Sequence, residues 1–157
     1  MLPTIERGED DEFIALVVRV DYTDDAAWRT VVDRLDGDED WTVDAQVVDD
    51  PAYAGSTVDE VLAAVSGDKM LRVLFVADAA TMRDPYPLIA VSTLTREACL
   101  DEEQFAEEMR FGREFRLTPA AVAEVHGNLA IANMGFDEFA EAAAGDPERI
   151  HRGFAAD

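Results

Sequence analysis

Phe13-Ile-Ala-Leu-Val-Val-Arg-Val20 and Met70-Leu-Arg-Val-Leu-Phe-Val-Ala77 are two near-continuous apolar runs rich in β-branched residues. A run of this kind, without alternation, reads as a strand buried on both faces, as in the middle of a parallel sheet. Parallel strands need a crossover, and the chain between these runs holds helical patterns. After the first run, Ala27, Val31, Val32 and Leu35 recur at helical spacing beside Trp28. Thr23 or Asp24 stands where an N-cap belongs, and the neighbouring acids suit the positive end of a helix.

Outward from these runs the pattern continues. Trp41, Val43, Ala45 and Val47 alternate with polar residues over 41–48, which predicts a strand with one solvated face, outside the first. Ser56 or Thr57 caps a helix through Val58, Val61, Leu62 and Val65, and Glu60 stands three residues after Thr57, as a capping box requires. Leu88–Thr93 and Arg113–Leu117 read as further strands. Asp101 caps a short helix within 95–111, Thr118-Pro119 starts another, and Phe136–Ala144 forms a last helix stopped by Gly145-Asp146-Pro147. The expected fold is α/β: three-layer, with a mostly parallel sheet of about five strands, flanking helices and a modified C-terminal half. Residues 1–12 read as an acidic tether, 13–145 as one domain, and 146–157 as a loosely held tail.

The chain has 157 residues, with 35 acidic side chains against 13 basic ones, a formal net charge of −22. Such a surface repels phosphate backbones and anionic membranes, which excludes direct nucleic-acid binding and membrane association as expectations. It leaves basic proteins and metal ions as partners, and it permits an acidic imitation of nucleic acid. Excess charge also serves solubility alone. Cys99 is the single cysteine, so no internal disulfide and no cysteine-based zinc cluster can form. With no signal-like N-terminus and no apolar run near the about 20 residues that span a bilayer, a cytoplasmic protein is expected.

Chemistry is sought beyond the carboxyl ends of the strands, where open α/β sheets bind ligands. Asp21, Asp24 and Asp25 follow the first apolar run, and Asp78, Thr81 and Asp84 follow the second. If those strands are neighbours, Asp21 and Asp78 are candidate metal ligands, and Mg²⁺ is the cation that two carboxylates with water would hold. Asp21, Asp25, Asp78 and Asp84 are then the catalytic candidates of a phosphoryl-transfer or hydrolase site, with Thr81 in a binding role. The same acids have structural duties as caps and turn formers, and acids are abundant throughout the chain. The one lysine, Lys69, falls before the second apolar run, at the wrong end to balance them. His126, His151, Cys99, Ser66 and Ser92 lie in no nucleophile–base pattern, and Cys99 is expected to be buried and inert. Asn128-Leu-Ala-Ile-Ala-Asn133 places two asparagines around an apolar stretch, as a polar binding notch or as a turn clamp.

Arg19-Val-Asp-Tyr-Thr-Asp-Asp-Ala-Ala-Trp28, Asp50-Pro-Ala-Tyr53, Phe75-Val-Ala-Asp-Ala-Ala-Thr-Met82 followed by Asp84-Pro85, and Asn128–Met134 with Phe136 and Phe139 occur in that order. Together they resemble a family of small acidic, mainly actinobacterial proteins classed as a domain of unknown function. The resemblance spans most of the chain and implies no catalytic residue. The leading expectation is a non-catalytic interaction module for a protein with a basic surface. The alternatives are the metal-dependent enzyme and the nucleic-acid mimic.

Overall fold

In a computed structural model, the two apolar runs form adjacent parallel strands, β1 (Ala15–Arg19) and β3 (Val73–Ala77), each buried along its whole length. The structure describes residues 2–6, 14–35, 45–65, 71–131 and 133–153. Phe13, residues 36–44 with the start of the alternating strand, and residues 66–70 with Ser66 and Lys69 lie outside the described residues. So do residues 7–12 of the acidic tether and the last four residues.

The remaining elements are α1 (Asp25–Arg34), β2 (Ala45–Val48), α2 (Val58–Ala64), β4 (Leu88–Ser92), α3 (Glu102–Glu108), β5 (Glu114–Leu117), α4 (Val122–Ala130), α5 (Phe136–Ala144) and β6 (Ile150–His151). Among the described residues the sheet has six strands, in the order β2-β1-β3-β4-β5-β6. β2 lies outside β1, as its alternation predicts, and β1, β2 and β3 are mutually parallel through crossovers. The helix starts follow the local chemistry. Asp24 accepts from the Ala27 N–H, Thr57 and Glu60 form the complete capping box, and Asp101 accepts from the Gln104 N–H.

The expectation of a mostly parallel sheet is corrected: the sheet is mixed. β4 runs antiparallel to both β3 and β5, and only β6 returns to a parallel pairing, with β5. The reason lies between β3 and β4, where the chain holds one 3-10 turn, Ala80–Met82, and then Asp84-Pro85-Tyr86-Pro87. A parallel return needs a crossover of about a dozen residues or more, usually a helix. A short link instead reverses the chain. The sixth strand is β6, a two-residue ladder whose register sets Arg116 against Ile150 and Leu117 against His151. Its shortness hides it from any pattern-based reading.

Strand alternation divides the interior between the two faces of the sheet. Val17, Phe75, Ala90 and Phe115 share one cluster with Trp28 and Val31 of α1, Val125 of α4 and Phe139 of α5. Leu16, Val18, Leu74, Val76 and Ile89 share the other with Val61 of α2, Tyr53 and Ile5. Residues 2–6 take part in this second cluster: the Ile5 N–H donates to Ala64 O, and the Tyr53 hydroxyl donates to Pro3 O at 2.6 Å. Among the described residues, no helix is long and apolar enough to cross a membrane.

Candidate functional site

The parallel and antiparallel pairings bring the carboxyl ends of β1, β2, β3, β5 and β6 to the same end of the sheet, where β4 begins. Both acidic corners foreseen from the sequence lie there, and arginines meet them. Arg19 closes β1, and its side chain is only 4% exposed. Its Nη2 donates to Asp25 Oδ1 at 2.8 Å, its Nη1 to Asp49 Oδ1 at 3.4 Å and its Nε to the Asp21 carbonyl at 2.8 Å. The guanidinium lies 4.2 Å from the Tyr22 ring centroid and 5.2 Å from that of Trp28. A charge can be buried at this depth because its donors find oxygens and its planar face finds rings. Burial, with the Asp49 charge beside it, pushes the Tyr22 hydroxyl up to about 12.

Asp21 Oδ1 accepts from the Thr23 N–H at 3.0 Å and from the Thr23 hydroxyl, in an Asx-type turn. Asp78 follows β3 next door and meets Arg116 of β5. The two guanidinium nitrogens reach Asp78 Oδ1 and Oδ2 at 2.7 and 2.8 Å, a bidentate pair. Thr81 is fully buried. Its N–H donates to Asp78 Oδ1, and its hydroxyl accepts from the Asp78 N–H and donates to Pro87 O. Burial alone would raise the Asp78 carboxyl, but the hydrogen bonds and charge of Arg116, with Thr81, hold it below its ordinary value. Asp84 is exposed and precedes the cis Asp84–Pro85 bond. Among the described residues, no three of His, Cys, Asp and Glu gather in a way that could hold a metal ion.

Asn128 and Asn133 lie elsewhere. Within α4 the Asn128 amide donates to Glu124 O at 2.8 Å, and beyond it the Asn133 amide donates to Asn128 Oδ1 at 2.9 Å. Asn133 lines a cavity of 390 Å³ together with Arg72 and Ser92. Arg72 precedes β3 and Ser92 ends β4, so this cavity sits at the end of β3 away from Asp78. Leu94, Gln104, Glu108, Leu129, Met134 and Glu138 also face it. Burial, then the charges of Asp137, Glu107 and Glu138, raise the Glu108 carboxyl above its ordinary value. Cys99, just before α3, is half-buried rather than buried, and its thiol is raised by desolvation and by Glu108, Asp101 and Glu102.

Three features went unforeseen in the sequence. Arg19 has a visible signal, a charge inside an apolar run that must find a partner. Arg116 has a weaker one, since only the strand order reveals that it faces Asp78. The third is a buried pair, His151 Nε2 at 3.0 Å from Glu124 Oε1, which ties β6 to α4 across 27 residues of chain. No local pattern announces that contact.

These geometries define an α/β domain with a mixed sheet, its strand-end carboxylates tied into hydrogen bonds and arginine pairs. The chain belongs to the DUF6924 family, a domain of unknown function, which matches residues 14–154. No curated protein and no solved structure matches it.

Proposed function

We propose that this chain is a non-catalytic, cytoplasmic interaction module whose partner is a protein with a basic surface. The observation that carries this reading is the exposure of large apolar side chains in an acidic region. Leu100 is 95% exposed, Ile131 56% and Phe111 39%, and Leu100 and Phe111 bracket the acidic helix α3. Single apolar residues on a surface are ordinary, but Leu100 and Phe111 stand at the two ends of one acidic helix, a pairing of apolar and charged groups suited to binding another protein. The net charge of −22 selects a cationic partner and speeds its encounter.

The competing reading is a Mg²⁺-dependent phosphoryl-transfer or hydrolase enzyme built on Asp21, Asp25, Asp78 and Asp84. It would have to displace Arg116 from both oxygens of Asp78 and Arg19 from Asp25. The two readings separate by experiment. Cross-linking in the native host, identification of the linked protein and calorimetry with that protein purified should give a complex of defined stoichiometry that weakens as salt is raised. Mg²⁺-dependent turnover of a phosphate ester by the purified chain, abolished by Asp78→Asn, would overturn the proposal in favour of the enzyme.

A further inference from the structure

We propose that the cavity between α3 and the α4–α5 junction is the docking groove for an amphipathic basic segment of the partner, with a lysine or arginine seated at Glu108 and leucine-like neighbours on Leu94 and Met134. The inference rests on the interaction-module reading and gives that module a site and a ligand chemistry.

Shape, apolar lining and charge point to this occupant together. The cavity measures 390 Å³, within the range of about 300–1,000 Å³ typical of ligand-binding pockets. Leu94, Leu129, Met134 and Phe136 give it apolar walls, Gln104, Glu108 and Glu138 give it polar groups that accept hydrogen bonds, and Arg72 sets one cation against the two carboxylates. The Leu100 N–H donates to Gln104 Oε1 at 2.7 Å, which fixes the backbone of an almost fully exposed leucine beside the groove. Ile131, also exposed, falls in sequence between the lining residues Leu129 and Asn133. No residue of α3 is fully buried, and only Phe105 and Glu108 are half-buried, so most of this helix faces solvent.

The charge decides between occupants. Arg110 pairs with Asp137 and with Glu141, whereas Glu108 is pressed by Asp137, Glu107 and Glu138. A carboxylate crowded by like charges and partly desolvated gains most from an incoming cation. A second copy of this chain would bring another −22 to the contact, and an anionic lipid or a nucleic acid would bring phosphates. A segment carrying both cations and apolar side chains matches groove and rim at once, in the manner of helix-in-groove recognition.

The test uses the full chain, labelled with ¹⁵N, and three synthetic probes of equal length: an amphipathic lysine–leucine peptide, an oligolysine of the same charge, and the glutamate–leucine counterpart. The lysine–leucine peptide should bind at least about tenfold more tightly than oligolysine, because the apolar walls add to the charge. The glutamate–leucine peptide should not bind. Amide shifts should centre on Gln104, Glu108 and Gly135–Phe136. Glu108→Gln and Leu100→Ser should each weaken the lysine–leucine peptide, the first by about tenfold, while Asp33→Asn on α1 should leave it unchanged. Shifts centred on α1 or on the Arg19 corner, or equal losses from Glu108→Gln and Asp33→Asn, would overturn the groove while leaving a basic partner in place. Failure of both cationic probes to bind would overturn the groove and the interaction-module reading together.

Discussion

Asp78 and Glu108 are both part-buried carboxylates, one at each end of β3, and the fold treats them in opposite ways. Asp78 is clasped by the Arg116 guanidinium and lies below its ordinary value, whereas Glu108 is crowded by other acids and lies above it. Further acids gather around each. At the Asp78 end Arg19 gathers Asp25 and Asp49, and at the Glu108 end α3 presents Glu102, Glu103, Glu107 and Glu108 in seven residues. Two carboxylates in acid-rich surroundings therefore differ in sign, one favoured as the ion and the other disfavoured. Arg116 and Asp78 together hold the strand ends, whereas Glu108 is crowded by Asp137, Glu107 and Glu138, and Glu102 at the start of α3 pairs with Arg96. An acid count does not separate them. What separates them is whether the sheet brings an arginine from another strand.

The largest expected effect tests the clasped end. Arg19→Ala should lower stability by about 3 kcal/mol, read as a drop in the urea midpoint followed by circular dichroism. The loss combines buried stem packing, stacking on Tyr22 and Trp28, and hydrogen bonds to Asp25, Asp49 and the Asp21 carbonyl. Arg110→Ala is the matched control at the other end. Arg110 is 48% exposed and pairs with Asp137 and Glu141, and exposed pairs contribute about 1 kcal/mol or less. Equal losses from the two variants would erase the distinction between the regions.

Much of the scaffold was readable because its signals are local. The unbroken apolar runs around Val17 and Phe75 placed β1 and β3, and the caps at Asp24, Thr57 and Asp101 started helices where expected. The antiparallel turn at β4 was harder, because its cause is the shortness of the 78–87 link rather than any periodicity. β6 was not readable: two residues carry no period, and Ile150–His151 is held by pairing with β5 and by the buried Glu124 contact. The acids after β1 and β3 were readable as positions but not as a state. Whether Asp78 is open to a ligand depends on Arg116, which is 38 residues away in sequence and comes beside it only through β4. The α3 groove was invisible for the same reason. It joins Arg72, Leu94, Glu108 and Met134 from separate elements.

A smaller effect, and a sharper one, comes from titrating the Asp78 clasp. Asp78→Asn should cost about 1–2 kcal/mol at neutral pH, since it removes a charge-assisted bidentate pair but keeps a similar shape. The sign of the pH dependence follows from the depressed carboxyl. Its contribution is fully present above the unfolded value of about 3.9 and is lost as pH falls through the lower folded value. The stability difference between wild type and Asp78→Asn should therefore hold from neutral pH down to about 4 and close below it. A difference that closed near pH 6 would mean that the clasp is not what stabilises the Asp78 carboxylate.

The smallest expected effect has the opposite sign, which makes it the most discriminating. The raised Glu108 carboxyl means that the folded state holds its proton more tightly than the unfolded chain does. The ionised side chain is then a penalty, absent below the unfolded value of about 4.3 and complete once pH has risen above the folded value. Glu108→Gln removes that penalty and should raise stability by a few tenths of a kcal/mol at pH 7, with no gain in acid. Added salt should shrink the gain, because the repulsion from Glu107, Asp137 and Glu138 is screened. A stabilised variant that binds the basic peptide less well would tie the strain at α3 to recognition. A destabilised one would place Glu108 with Asp78, as another acid that the fold needs.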